Sequence, residues 1–349
     1  MGYFNSDRPT LKDVAVKAGT SIATASNVIS AKKGKFVSEK LRAKVLEAAE
    51  ELGYLPNVIA RSMKGKKRNI IAMLVPELYN SIYMRMVVGA ERYATEKGYL
   101  MLLCSTLYDP SREEGYMQSL IAQQVDGFLL AVSLSRAVMA EKLERLGIPY
   151  VILDTPFFAS SFPYDSVAFG GDKAVIMALQ HLYDKGHRRI GYVGNVTGEH
   201  NERNEAFRKG VRMLGLDERE CPSHLGYMND EDCERMMKEC IKESRCTAIV
   251  IGHHMVAESI VRQMRRLNIQ VPRDISVVVV GNPIWTEMAG PGFTAVELPH
   301  PEMGRLAAKM LIDRIEGHAG EKKQVWLQSE LIERASVADL NARQGRSQE

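Results

Sequence analysis

Apolar positions over the first fifty-odd residues recur at helical spacing. In "LKDVAVKA", Leu11, Val14, Ala15 and Ala18 stand at i, i+3, i+4 and i+7 and predict the buried face of a short helix. Gly19 stops it with a residue that tolerates positive φ, and Ser21 is placed to cap a second helix with inward Ile22, Ala25 and Val28 or Ile29. Two short amphipathic helices joined by a Gly-containing turn predict a helix-turn-helix. "SEKLRAKVLEAAEELG" predicts a third helix: Ser38 caps it, Leu41, Val45, Ala48, Ala49 and Leu52 face inward, and Gly53 ends it. From Ile70 the pattern changes. "IIAMLVP", "YLMLLCS", "GFLLAV", "PYVILD", "RIGYVG", "TAIVIG" and "ISVVVVG" read as strands buried on both faces, hence parallel sheet. Helical segments such as "MRMVVGAERYATEKG", "MALQHLYDKG", "MVAESIVRQMRRLN" and "MGRLAAKMLIDRIEG" separate them. The expected fold is a small all-α helix-turn-helix head, residues 1–56, then a hinge helix and linker, 57–69, then an α/β body, 70–349, of two doubly wound parallel-sheet lobes. Ligands in such sheets bind beyond the carboxyl ends of the strands, so a cleft between two lobes follows.

The face left over on the second helix is Ala23, Thr24, Ser26, Asn27 and Ser30, small or hydrogen-bonding and uncharged. Such a surface suits a major groove, where Asn27 offers its amide to an adenine edge and Ala23 meets a thymine methyl. Lys32, Lys33 and Lys35 follow in "AKKGKF" as candidate phosphate contacts. In "YLPNVIARSMKGKKRN", Pro56 opens a helix that Gly65 ends, too short to hold alone in water and expected to form only with a partner. Val58, Ile59 and Met63 lie there among cations, a pattern suited to wedging a base step from the minor groove. A generic three-helix bundle and a charged linker share these periodicities.

Charge separates the two parts. Residues 1–68 hold 14 Lys and Arg against 6 Asp and Glu, whereas the remainder holds 32 against 37, so a formal net charge of +3 conceals a basic head on a mildly acidic body. A basic module patterned for folding points to a polyanionic partner. No apolar run approaches the ~18–20 residues of a membrane span, and no basic segment followed by an apolar stretch opens the chain, so a cytoplasmic protein is expected. Five cysteines, Cys104, Cys221, Cys233, Cys240 and Cys246, form no Cys-x-x-Cys and predict free thiols rather than zinc or a disulfide framework. G-x-G-x-x-G after a strand, Gly-Lys-Ser/Thr, G-x-S-x-G and H-E-x-x-H are all missing, so an enzyme on the same fold has no motif behind it and no cofactor is expected.

The run Thr10–Ala18 with Gly19, Ser21, Thr24 and Ser26, then "EAAEELGYLPN" and "ARSMKGKKR", resembles the DNA-binding head of the lactose-repressor (LacI/GalR) family of bacterial regulators. The likeness continues to about Ser336 through "DPSREEGYMQSLIAQQVDGFLL", "GIPYVILD", "LYDKGHRRIGYVG", "ISVVVVG" and "MGRLAAKMLIDRIEG". It implies a homodimer that reads a near-palindromic operator in double-stranded DNA. DNA contacts are implied at Thr10, Leu11, Ser21, Ile22, Ala23, Thr24, Ser26, Asn27, Ser30, Lys32, Lys33, Ser38, Tyr54, Asn57, Ala60 and Met63, with Met63 at the position of an inserted leucine. It implies a body like the periplasmic sugar-binding proteins, with three crossing segments and a small-molecule effector, possibly a sugar, in the cleft. Effector contacts carry over to Tyr83, Asp154, Phe169, Arg203, Tyr227, His253 and Asn282.

The departures are as informative. Asn27 stands where the family more often has a basic residue, and Ala206 replaces a usual glycine. Asp154-Thr155 replaces Asp-Arg, His253-His254 replaces Asn-Asp, and Gly281-Asn282 replaces Asp-Asp. An unpaired buried polar group costs ~1–3 kcal/mol, so a site changed at three such positions is expected to reject the usual sugars or to hold them differently. Adjacent histidines also suggest metal, but no further Cys, His or Asp cluster lies near them in sequence. The tail "SVADLNARQGRSQE" has no heptads, so assembly beyond a dimer is not expected. The expected function is a ligand-modulated transcriptional regulator, a repressor. A solute-binding protein is the rival, and the basic head speaks against it.

Overall fold

In a computed structural model, which describes residues 9–29, 37–54, 67–79, 81–131, 136–154, 163–195, 201–227, 229–318 and 320–345, the head helices form where the periodicity places them. They are α1 (Leu11–Lys17), α2 (Ile22–Ile29) and α3 (Glu39–Glu51). Val14, Ala15, Ala18, Ala25, Val28, Val45 and Ala48 make their common core, with Leu11, Leu41, Ala49, Leu52 and Tyr54 packed around it. Gly19 and Gly53 take φ of +65° and +60°, the left-handed conformation that ends a helix cheaply only at glycine. One expectation fails. Ile22, placed inward by its spacing, is 50% exposed. Side chains lean toward a helix's amino terminus, so a first-turn residue projects past the edge of so small a core.

The chain divides into two compact units, residues 1–68 and 69–349. The second holds two six-stranded sheets. In chain order its elements are β1 (Ile70–Val75), α4 (Ser81–Glu96), β2 (Leu100–Ser105), α5 (Pro110–Ala122), β3 (Gly127–Leu130), α6 (Arg136–Arg145), β4 (Tyr150–Asp154), β5 (Ser166–Phe169), α7 (Gly171–Asp184), β6 (Ile190–Asn195) and α8 (Asn201–Met213). Then follow β7 (Ser223–Gly226), α9 (Asp230–Lys238), β8 (Ala248–Ile251), α10 (His254–Arg266), β9 (Ser276–Val280), α11 (Trp285–Met288), β10 (Thr294–Glu297), α12 (His300–Glu316), β11 (Gln324–Leu327), β12 (Glu330–Ile332) and α13 (Leu340–Gly345).

The sheets run β11-β5-β4-β3-β1-β2 and β12-β10-β9-β8-β6-β7, parallel except that β12 lies antiparallel to β10. The chain changes lobe three times: from β5 into α7, which packs on β8, β9 and β10; from β10 into α12, which packs on β3, β4 and β5; and from β11 to β12. Because each sheet is covered on both faces, Leu129, Val151 and Leu153 of one sheet and Val250, Val278 and Val280 of the other lie fully or almost fully buried in a single apolar cluster.

Close helix contact fixes the first lobe. A Cβ on Gly304 of α12 would fall 1.9 Å from the Met86 carbonyl oxygen of α4, and one on Gly89 of α4 would fall 2.0 Å from the Pro301 carbonyl oxygen. Each helix supplies a glycine where the other's backbone passes.

Candidate functional site

On the head, hydroxyls expected at DNA also build the helices that carry them. Thr10 and Asp13 form a capping box: the Thr10 amide and hydroxyl both donate to Asp13 Oδ2 at 2.7 Å, and the Asp13 amide donates to Thr10 Oγ1 at 3.3 Å. These bonds hold the Asp13 carboxyl below its ordinary range. Ser21 Oγ accepts the Thr24 amide at 3.1 Å and shares a hydrogen bond with Thr24 Oγ1 at 2.9 Å, so this pair starts α2. Ser38 Oγ accepts the Leu41 amide at 3.4 Å and starts α3. With Ala25 and Val28 buried, α2 presents exposed Ile22 and Ala23 and half-buried Thr24, Ser26 and Asn27. Leu11 and Tyr54 pack partly against the head core. Ser30, Lys32, Lys33, Asn57, Ala60 and Met63, and the expected hinge helix, lie outside the described residues.

In the body, the carried-over positions gather at carboxyl ends of strands. Asp154 closes β4 at φ +74°, a left-handed conformation that Asp adopts more readily than most residues. Phe169 closes β5, buried, with its ring edge-on to His300 at 5.3 Å. In α8, Arg203 donates from Nη1 to the Gly252 carbonyl at 2.7 Å, and a Cβ on Gly171 would stand 3.3 Å from its Nε. That one guanidinium therefore touches both the segment entering α7 and the turn after β8. His253 caps α10 by accepting the Met255 amide on Nδ1 at 3.3 Å, and its ring lies 4.4 Å from that of buried His254.

Two residues of this region were missed in the sequence. His300 opens α12, is buried, and donates from Nδ1 to the Leu298 carbonyl at 3.2 Å. Burial first, then Arg203 and His254, push its pKa down to about 3. The ring is therefore neutral, and with the proton on Nδ1 its Nε2 is an acceptor. Tyr192 of β6 lies buried against Phe207, 5.3 Å between ring centroids, and its ring occupies the space that side chains on Gly194 and Gly252 would need. Burial raises its hydroxyl to about 12. The available signals were a histidine between two prolines, and glycines on either side of a tyrosine within a strand.

Other expected contacts sit differently. Asn282 donates from Nδ2 to Glu297 at 2.8 Å, while its Oδ1 accepts from Thr286 at 2.7 Å and from Arg334 at 3.0 Å. Its carbonyl accepts from Arg85 at 3.3 Å, and Arg85 pairs with Glu297 at 2.9 Å. Asn282 and Glu297, through Arg85, tie α4 of the first lobe to the turn after β9 and to β10 of the second. Tyr83 is half buried against the apolar core of the body. Tyr227, after β7, is 63% exposed, and its amide donates to Asp232 at 2.8 Å. Among the described residues, no group of three or more His, Cys, Asp or Glu side chains is placed to hold a metal ion.

Comparison with known proteins agrees with this fold. Residues 10–57 match the family described as bacterial regulatory proteins, lacI family, and residues 179–337 match a periplasmic binding protein-like domain. The chain is 32% identical to the HTH-type transcriptional regulator DegA of Bacillus subtilis, over 96% of this chain and 99% of that one. It is also 32% identical to the ribose operon repressor of Escherichia coli, over 94% and 99%. Among solved structures, the transcriptional regulator CelR in complex with cellobiose aligns with a TM-score of 0.67 at 27% identity, covering 94% of this chain and all of that one.

Proposed function

This chain belongs to the lacI family of bacterial regulatory proteins, and on that premise we propose that it represses transcription by binding a near-palindromic operator as a homodimer, with a small metabolite in the body cleft setting its affinity. One observation carries the reading: a helix-turn-helix and a two-lobed binding body occur in one chain, and likeness to regulators runs along nearly all of it. In this reading α2 enters the major groove. Ala23 and Asn27 read base edges, Ile22 adds an apolar contact, and the lysines after α2 meet phosphate. Residues 57–69 join head to body and pair with the partner's copy in the minor groove, with Met63 as the wedge.

The cleft favours a hydroxyl-rich ligand such as a sugar or a close relative. Arg203 supplies donors, the Asp154 carboxylate and neutral His300 Nε2 supply acceptors, and the Phe169 ring supplies an apolar face. A hydroxyl both donates and accepts, so it matches such a mixed lining, whereas an apolar ligand makes no hydrogen bond to it. Among the described residues no helix is long and apolar enough to cross a membrane, and we place the protein in the cytoplasm with its DNA.

The test is fluorescence anisotropy of the full chain on labelled duplexes from its own upstream region. Specific binding that weakens steeply with salt, and that shifts on adding one member of a sugar panel, is the expected result. Equal affinity for upstream and scrambled duplexes at low ionic strength would refute it.

A further inference from the structure

Far from the strand ends that carry the cleft, two buried cysteines face each other at the opening edge of the second sheet. Helix α9 runs into a single π turn, Glu239–Glu243, and the chain then folds back so that the Cys246 amide donates to the Cys240 carbonyl at 2.9 Å. A backbone bond between the two residues brings their Cα atoms within the ~4.4–6.8 Å that a disulfide spans. The side chains converge as well. A Cβ on Gly191 of β6 would lie 3.1 Å from Cys240 Sγ and 3.2 Å from Cys246 Sγ, so both sulfurs border the same small space. Glycine at 191 leaves the pocket that both sulfurs occupy.

The two thiols are not equivalent. Arg189 stands beside Cys246, anchored by a bond from Nη2 to the Ser244 carbonyl at 2.8 Å and by an ion pair with Glu220 at 3.6 Å. The Cys246 thiolate is favoured first by the neighbouring Cys240 and, against the cost of burial, by the Arg189 charge, whereas ionisation of wholly buried Cys240 is disfavoured first by Cys246, then by burial and by Glu239. In the other thiols burial dominates, in Cys233 against a smaller pull from Arg262. Cys104 and Cys233 are pushed up by burial, and Cys221, also pushed up, donates to the Arg188 carbonyl at 3.3 Å.

From the facing sulfurs, the backbone bond between them and the adjoining guanidinium, we infer that Cys246 and Cys240 form an oxidant-responsive dithiol whose co-substrate is a hydroperoxide. The Cys246 thiolate attacks the peroxide oxygen; the O–O bond breaks, the alkoxide or hydroxide leaves and takes a proton from solvent, and Cys246 becomes a sulfenic acid. Cys240 sulfur then attacks that sulfur. The S–S bond forms, the S–O bond breaks, and the departing hydroxide carries off the Cys240 proton as water. Two thiols are oxidised by two electrons and one peroxide is reduced. The bond closes across the π turn, whose Glu239 holds His224 of β7 at 2.8 Å, so oxidation stiffens one edge of the second lobe.

The experiment treats the reduced full chain with a small excess of hydrogen peroxide, blocks the remaining thiols by alkylation and maps the peptides. A single intrachain linkage between Cys240 and Cys246, reversed by a thiol reductant, is expected, with two of the five thiols lost. Cys240→Ser should leave a trappable sulfenic acid on Cys246, and Arg189→Gln should slow oxidation roughly three- to tenfold by raising the attacking thiol. Consumption of Cys104 or Cys233 before the pair overturns the assignment. So does oxidation of Cys240 at an unchanged rate in Cys246→Ser. The peptide map of the unaltered chain decides the question even where a serine variant fails to fold.

Discussion

At Asn27 and His300 the same physical question has opposite answers: what a polar side chain does where water reaches it only in part or not at all. Asn27 sits half-buried on α2, across the helix from buried Ala25 and Val28. Asn27→Ala should leave the head folded and lower discrimination between operator and a single-base variant by ~1–3 kcal/mol. Competition anisotropy with the two duplexes measures it, and an undiminished preference would sink the base-reading role. His300 is held neutral by burial and by Arg203. Its folded pKa of about 3 lies below the ordinary 6.5, so the unfolded chain binds the extra proton first as pH falls. Stability is then intact above about pH 6.5 and is lost progressively toward pH 3, with roughly 2 kcal/mol gone by pH 5 from this ring. Urea midpoints of wild type and His300→Gln at pH 7 and pH 5 should show the variant losing less between the two. Equal losses would mean that the ring is protonated in the folded state. The strand end at Asp154 was legible in the sequence from the apolar run before it, whereas Phe169 and Arg203 were singled out only through the family resemblance. His300 and Tyr192 were not legible, since what makes them part of the site is which segments pass beside them, and no local pattern records that.

Strands were legible where an unbroken apolar run announced them. The runs that became β1, β3, β4, β8 and β9 are central or doubly covered strands, and continuous apolar sequence is what such positions demand. Strands β5, β7, β10, β11 and β12 escaped. They have three or four residues each, several carry Ser, Thr, His or Gln, and β7, β11 and β12 lie next to or at sheet edges where half the surface is wet. The lobe crossings depend on these same strands, so the two-lobed body was readable while its exact wiring was not. The contact of α4 with α12 was equally hidden, because two lone glycines inside helical patterns read as weak helix formers. In the structure they let two backbones touch, and the obstacle to a side chain is carbonyl oxygen, which cannot swing aside as a side chain can. Gly304→Ala should therefore destabilise the body by ~1–3 kcal/mol although alanine favours helix. Chemical denaturation of the body transition reads this directly, and a stabilised Gly304→Ala would show that the helices part freely.

On the scale of the whole molecule, the proposed effector contacts suggest how a ligand would be informative to DNA. Asp154 and Phe169 belong to the first sheet, whereas Arg203 and His253 belong to segments of the second, so a ligand that engages both groups stabilises one arrangement of the lobes over another. The Arg85–Glu297–Asn282–Arg334 network joins the same lobes and gives that arrangement a discrete set of polar bonds to keep or exchange. Linkage then fixes the size and symmetry of the effect. If the effector changes operator affinity by some factor, typically about 5- to 150-fold, the operator must change effector affinity by that same factor. Calorimetry of the identified sugar with and without operator duplex should return it. Arg203→Gln separates ligand contact from scaffold. As an effector contact, the variant should lose tenfold or more in ligand affinity while keeping its ligand-free operator affinity. Yet Arg203 also bonds the Gly252 carbonyl at 2.7 Å, an internal contact that the substitution weakens. Were operator and ligand affinity to fall together, that internal bond, and not the grip on a hydroxyl, would be what the arginine is there to make.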